Sequence, residues 1–242
     1  MSEYAIEVKN LSICYRGLKT YSIKKNFFSF KKRKTDYFEA VKNVSFTVRK
    51  GEILGLIGKN GSGKSTLLRA IAGIFSPNSG TIDLHGNSVS LLAIGIGFQK
   101  ELSGRDNILL SGMLLGFSEA QIKERMDEII AFSELGAFID APVRTYSSGM
   151  HSKLAFSITA ILETDIILID EVLAVGDARF KKKSYKKMKE LINHRDRTVV
   201  IVSHDRKTIA DLCDKVLWIN DGEIVQYGNT QQVLDAYDEF MK

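Results

Sequence analysis

Apolar and polar residues alternate over 4–15, with β-branched side chains frequent among them, and this period predicts a strand; 41–48 repeats the pattern. Lys50-Gly51 then turns the chain into the continuous apolar run 53–57, after which a helix is predicted from Lys64 to about residue 72. Ser76-Pro77-Asn78-Ser79-Gly80 reads as a turn, and 81–98 as short strands broken by glycines. Beyond this point the period lengthens to that of helices. Ser118 with Gln121 three residues on makes a capping box, and Ile122, Met126, Ile129 and Ile130 form one stripe ending near Gly136. Pro142 precedes a second helix that runs through Leu154, Ile158 and Ile161.

The second half alternates strand and helix. Ile166 to Ile169 is apolar without interruption, as a central parallel strand covered on both faces requires, and 199–203 repeats it. Between them Phe180, Ser184, Met188, Leu191 and Ile192 mark the buried side of a helix. Asp221-Gly222 joins 217–220 to 223–227 as a hairpin, and Val233, Leu234, Tyr237 and Phe240 mark a closing helix. The pattern is that of an α/β protein on a parallel sheet.

Composition narrows the setting. The chain has 242 residues, 44% hydrophobic and 26% charged, with a formal charge of +5. No apolar run approaches the roughly 18 residues that cross a bilayer, and 1–10 lacks a signal-peptide profile, so a soluble or peripheral protein is expected. Cys14 and Cys213 stand alone and are expected as buried free thiols. Cations crowd 24–34 and 179–189. In the first of these, Phe27, Phe28 and Phe30 are flanked by Lys24 and Lys25 before and by Lys31, Lys32, Arg33 and Lys34 after; aromatics among cations suit a greasy, anionic interface, and equally a solvated loop whose rings tuck into the core.

The chemistry gathers at Gly58-Lys59-Asn60-Gly61-Ser62-Gly63-Lys64-Ser65-Thr66. Glycines at this spacing let successive backbone N–H groups turn inward on phosphate oxygens, and the following helix aims its dipole at the anion. Lys64 is placed to reach β- and γ-phosphates, and the Ser65 hydroxyl suits Mg²⁺. Asp170 and Glu171 close the apolar strand where open α/β sheets put their ligand chemistry: Asp170 as partner of the metal, Glu171 as general base for an attacking water. Such a pair also serves elsewhere as a helix cap. His204, at the end of the neighbouring strand, is placed to donate to the γ-phosphate, although a lone histidine is commonly structural.

Taken together, Gly58 to Thr66, Tyr146-Ser147-Ser148-Gly149-Met150, Ile166 to Glu171, Ala174 to Asp177 and Ser203-His204-Asp205 resemble the nucleotide-binding subunit of an ATP-binding cassette transporter over nearly the whole chain. Gly97-Phe98-Gln99 through Leu102-Ser103-Gly104-Arg105-Asp106-Asn107-Ile108, Phe132-Ser133-Glu134-Leu135-Gly136, Thr145 to Met150 and Asp170-Glu171-Val172-Leu173-Ala174-Val175-Gly176-Asp177 are similar to the exporters of teichoic acids, capsules, O-antigens and rhamnose polymers in particular. The resemblance implies a P-loop NTPase (RecA-like) core with an antiparallel β subdomain and a helical subdomain near 104–165. It implies ATP and Mg²⁺ as ligands, and a head-to-tail homodimer. In that dimer Ser147, Ser148 and Gly149 of one chain complete the phosphate loop of the other, Tyr15 stacks on adenine, Gln99 links the metal site to the membrane partner, and Asp177 sits at the dimer seam. The signature here is Y-S-S-G-M instead of the commoner L-S-G-G-Q.

By the same resemblance the subunit binds an integral permease at the cytoplasmic face of the membrane and acts on a lipid-linked polysaccharide through it. The insertion at 17–38 is expected to lie near the permease, and no carbohydrate-binding domain is expected beyond residue 242. The alternative within transporters is an ATPase subunit for another transported substrate; a cassette ATPase acting on nucleic acid or ribosomes, suggested by a pI near 9.0, is the competing class outside them. Such proteins generally carry two cassettes or a long coiled-coil insertion, which this sequence lacks, so nucleic acid is not an expected partner.

Overall fold

A computed structural model describes residues 2–16, 37–92, 97–170, 176–193 and 197–242. The first two strands, β1 (Tyr4–Arg16) and β2 (Tyr37–Arg49), pair antiparallel along their whole length, from Tyr4↔Arg49 to Arg16↔Tyr37. That pairing carries β2 four residues upstream of where alternation alone begins it, because Tyr37 and Phe38 have partners in β1 although their side chains remain exposed. Most of the insertion expected between the two strands, 17–36, lies outside the described residues.

β3 (Ile53–Ile57) is followed by α1 (Lys64–Ile71), as expected. β4 (Ser79–Asp83) then joins β1 to complete a three-stranded antiparallel sheet in the order β2-β1-β4. Ser79 and Gly80 therefore belong to a strand and not to the turn predicted at 76–80. Gly80 is at φ +80° where a Cβ would lie within 2.4 Å of the Lys9 and Asn10 carbonyl oxygens, so strand and turn residue coincide there.

β5 (Val89–Leu91) opens the second sheet. Three helices follow, α2 (Gly104–Leu114), α3 (Glu119–Ser133) and α4 (Ser148–Leu162), around a core of their own that includes Ile108, Ile122, Met126, Ile129, Leu154 and Ile158. The capping box is present: Ser118 Oγ accepts from the Gln121 N–H, and Gln121 Oε1 accepts from the Ser118 N–H. The α3 stripe ends at Ser133, short of Gly136, because Glu134 takes the left-handed conformation at φ 56° and stops the helix.

β6 (Ile166–Ile169), α5 (Ala178–Asn193), β7 (Thr198–Val202), α6 (Arg206–Leu212), β8 (Lys215–Asn220), β9 (Glu223–Asn229) and α7 (Thr230–Phe240) finish the chain. The six-stranded sheet runs β5-β6-β7-β3-β8-β9, parallel except for the β8–β9 hairpin. β6 and β7 are buried at every position, which accounts for their unbroken apolar sequences. Phe180, Ser184, Met188, Leu191 and Ile192 of α5 are buried against this sheet's outer core; Lys181, Lys182, Lys186 and Lys189 between them are exposed, and Lys183 and Lys187 are half-buried against Glu134 and Glu163. Phe240 departs from the apolar stripe predicted for α7: it is 47% exposed, tilted against Trp218 and overlain by Lys59 Nζ at 4.4 Å. Of the two cysteines only Cys213 is buried; Cys14 is half-buried in β1.

Candidate nucleotide site

β3 sits between β7 and β8 and delivers the glycine-rich loop at its C-terminal end. Gly58 must be glycine, since at φ +149° a Cβ would lie 2.0 Å from the Ile219 carbonyl oxygen and 2.7 Å from Ser62 Oγ. Gly63, at φ +106°, caps α1 without a side-chain acceptor, so the first N–H groups of α1 are left for an anion. Lys64 is 6% exposed and donates from Nζ to the carbonyls of Gly58 and Lys59 at 2.7 and 2.8 Å, which curls the loop around its own ammonium group. Ser62 Oγ is buried and, among the described residues, has no hydrogen-bond partner. An uncapped helix start, a buried ammonium and an unpartnered hydroxyl together fit a phosphate group.

The loop is anchored from behind by the Asp221-Gly222 hairpin. The Gly222 N–H donates to the Ser62 carbonyl at 3.0 Å, and the Gly222 carbonyl accepts from the Lys42 N–H of β2 at 2.8 Å. The hairpin thus ties the phosphate loop to the antiparallel sheet.

Ser65 Oγ donates to Asp170 Oδ1 at 3.3 Å, so the hydroxyl and the carboxylate expected to share Mg²⁺ are neighbours across α1 and the end of β6. Two hard oxygen donors suit that ion. Glu171, expected as general base, lies outside the described residues, as does 172–175. His204 follows β7 and lines the same cleft of about 260 Å³ as the 60–66 loop, Val202, Ala40, Tyr15 and Phe38. Lys64, Ser65, Thr66, Asn60, Gly61, Ser62, Gly63, Tyr15 and His204 are therefore brought together as anticipated. Phe38 is an addition that the sequence reading placed in the insertion; aligning β2 against β1 pairs it with Tyr15 and is the signal that finds it. Gly58 and Lys59 lie just behind the lining, and Lys59 is held from outside by the Phe240 ring.

Ser147, Ser148 and Gly149 do not line this cleft. Ser147 caps α4, its Oγ accepting from the Met150 N–H at 3.2 Å, and Ser147 and Ser148 are exposed. Asp177 is also elsewhere: Oδ1 accepts from the Phe180 N–H to start α5, and Oδ2 pairs with Lys153 of α4 at 2.6 Å. The Lys153 hydrogen bond, followed by that from Phe180, holds its carboxyl down at about 2. Lys153 also lies 3.9 Å from Glu134, which takes Lys183 at 3.0 Å, so α3, α4 and α5 meet at one charged junction.

Gln99 is exposed and is not among the residues lining the cleft. Its backbone is fixed by the fully buried Asn107, whose Oδ1 accepts from the Gln99 N–H at 2.7 Å and whose Nδ2 donates to the Gln99, Leu102 and Ser103 carbonyls. The adjacent Phe98 ring packs on His151 of α4 at 4.7 Å, and burial, with the nearby Lys100 charge, lowers the pKa of that imidazole. Asn107 falls in a stretch that carries the family resemblance, but its role has no mark in the sequence, and His151 does not stand out there because an aromatic pair has no periodic mark.

A parallel sheet carrying a glycine-rich phosphate loop, a Ser65–Asp170 oxygen pair and a histidine from the adjoining strand defines a nucleoside triphosphate-binding P-loop cassette. The ABC transporter family profile matches residues 41–174. The chain belongs to the ABC transporter family. It is 46% identical over 207 residues to the O-antigen export system ATP-binding protein RfbB of Myxococcus xanthus, covering 86% of this chain and 47% of that one. It is 47% identical over 205 residues to the teichoic acids export ATP-binding protein TagH of Lactococcus lactis, covering 85% of this chain and 44% of that one. The chain thus spans less than half the length of these curated relatives. A solved ATP-binding subunit of an ABC transporter superposes with a TM-score of 0.71 at 22% identity, over 97% of this chain and 93% of the other, and shares the fold.

Proposed function

We propose that this chain is the ATP-hydrolysing subunit of a transporter that exports a lipid-linked cell-surface polysaccharide across the cytoplasmic membrane. The observation that carries the reading is its 46–47% identity to proteins named for O-antigen and teichoic acid export, joined to an intact phosphate loop. Lys64 and the α1 N–H groups bind the phosphates, Ser65 and Asp170 hold Mg²⁺, Glu171 accepts a proton from the attacking water, and His204 donates to the γ-phosphate. The bound metal supplies charge neutralisation on the β- and γ-phosphate oxygens. Gln99, exposed and outside the cleft lining, is assigned to the link with the permease on the family resemblance alone.

Because Ser147, Ser148 and Gly149 stand apart from their own chain's cleft, they act on a second copy, in a head-to-tail homodimer with Asp177 at its seam. Nucleotide binding closes the dimer, and hydrolysis reopens it. No helix among the described residues is long and apolar enough to cross a membrane, which suits a peripheral subunit held by its permease. The composition of the 17–38 insertion, phenylalanines among cations, suits the permease side near the lipid carrier.

The test is reconstitution of the chain with its permease in vesicles, followed by phosphate release and polymer transfer. Wild type is expected to do both, Lys64→Ala neither, and Glu171→Gln is expected to hold ATP in a closed dimer. Full turnover in Lys64→Ala, or ATPase activity that answers to RNA and to no membrane partner, would overturn the reading.

A further inference from the structure

Tyr15 and Phe38 are direct register partners across the antiparallel β1–β2 pair, so their side chains leave the same face of the sheet, and both line the mouth of the phosphate cleft. Their surroundings differ. The Tyr15 hydroxyl lies 3.2 Å from Thr66 Oγ1 and its ring meets Phe75 edge-on at 5.9 Å, which fixes it against the phosphate-loop helix. Phe38 is 61% exposed, and no aromatic pair or cation contact among the described residues involves its ring.

A phenyl ring left in water at the rim of a polar cavity is apolar surface without cover, and a nucleotide base offers a flat apolar face of matching chemistry. The neighbouring rim position, Ala40, is small and buried, so nothing on β2 itself stands between the Phe38 ring and the cleft. The polar groups of the lining, by contrast, are those of the phosphate loop, His204 and the Tyr15 hydroxyl that meets Thr66.

We propose that Phe38 is a second base-contacting ring: Tyr15 forms the fixed part of the platform, and Phe38, its cross-strand partner, covers the base from the exposed side and sets how tightly the nucleotide is held. This rests on the ATPase reading above. It assigns to Phe38 a share of affinity that depends on the base and is indifferent to the phosphates.

Calorimetry with three ligands separates the possibilities: ATP, ADP and inorganic tripolyphosphate, each with Mg²⁺. Phe38→Ala is expected to weaken ATP and ADP alike by roughly fivefold to tenfold, the size of one ring–ring contact, and to leave tripolyphosphate unchanged. Phe38→Trp should restore affinity, and its indole fluorescence should respond to ATP and not to tripolyphosphate. As the replaced ring is exposed, thermal melting of both variants should match wild type. Unchanged ATP affinity in Phe38→Ala, or an equal loss for tripolyphosphate, would overturn the assignment. Wild-type protein that binds no ATP would instead overturn the ATPase reading, so the two failures are distinct.

Discussion

Ser65 Oγ and Asp170 Oδ1 lie 3.3 Å apart although 105 positions separate them in the chain. One stands in the first turn of the helix after β3 and the other just past β6, two strands away in the sheet with β7 between. Only a parallel arrangement, in which both strands end on the same edge, brings them together.

Removing the charge at this pair should act on turnover and not on folding. Asp170→Asn keeps the shape and an acceptor oxygen for Ser65 but loses the anion that suits a divalent cation. Steady-state phosphate release is expected to fall about 100-fold or more, equivalent to roughly 2.7 kcal/mol of barrier, with the melting temperature little changed. Chelation of Mg²⁺ should abolish release in wild type; persistence of activity in excess chelator would contradict the assignment.

Gly58 is the position where the loop is least tolerant. A methyl group there meets a backbone oxygen at 2.0 Å, in a backbone conformation that L side chains rarely adopt. Gly58→Ala is expected to cost about 3 kcal/mol, lowering the melting temperature by about 6–12 °C in differential scanning calorimetry. Gly61→Ala is the control: its Cβ meets nothing within 4 Å, so the penalty should be confined to its φ of +78° and be smaller.

Acid should loosen the junction of α4 and α5. Asp177 has its carboxyl held at about 2, below the ordinary 3.8, chiefly by Lys153. Its contribution to stability is therefore present above about pH 4 and is lost as pH falls toward 2. Urea titrations across that window should show a shallower acid loss in Asp177→Asn than in wild type, and Lys153→Met should return the carboxyl toward 3.8 by NMR. The Asp177 carboxylate is exposed, so added salt should shrink the effect. Identical acid limbs in wild type and Asp177→Asn at low salt would refute it.

Cys213 should be chemically silent in the folded chain. Burial, with help from the Asp214 charge, pushes its thiol up to about 12, and its sulfur lies against Gly55 of β3, 3.0 Å from where a Cβ would be. Alkylation by iodoacetamide at pH 8, followed by mass spectrometry, should be at least about 100-fold slower at Cys213 in native protein than in urea. Equal rates in the two conditions would show that the β3–α6 packing opens readily.

The contrast between what could be read from residue order and what could not follows from range. The phosphate loop, the β6 and β7 strands, the capping box and the Asp221-Gly222 hairpin depend on neighbours within a few positions, and their signals survive in one dimension. Phe38 was misplaced because its strand is defined by pairing with Tyr15 and not by alternation. Asn107 belongs to a recognisable stretch, yet its role is not legible there, since its three carbonyl contacts exist only once 99–107 has folded back on itself. Ser147 and Asp177 were legible as motif members, yet within one chain they serve as a helix cap and an ion-pair partner, remote from the cleft.

Gly222 gives its N–H to the Ser62 carbonyl and takes one from Lys42 on its own carbonyl. The phosphate loop and the antiparallel sheet are therefore joined through the two successive peptide groups that flank one residue. Since donor and acceptor on both sides are main chain, replacing the side chain at position 42 or 62 leaves this linkage in place. Sequence drift at position 62 can retune the cleft lining while the mechanical coupling between the sheets is inherited intact.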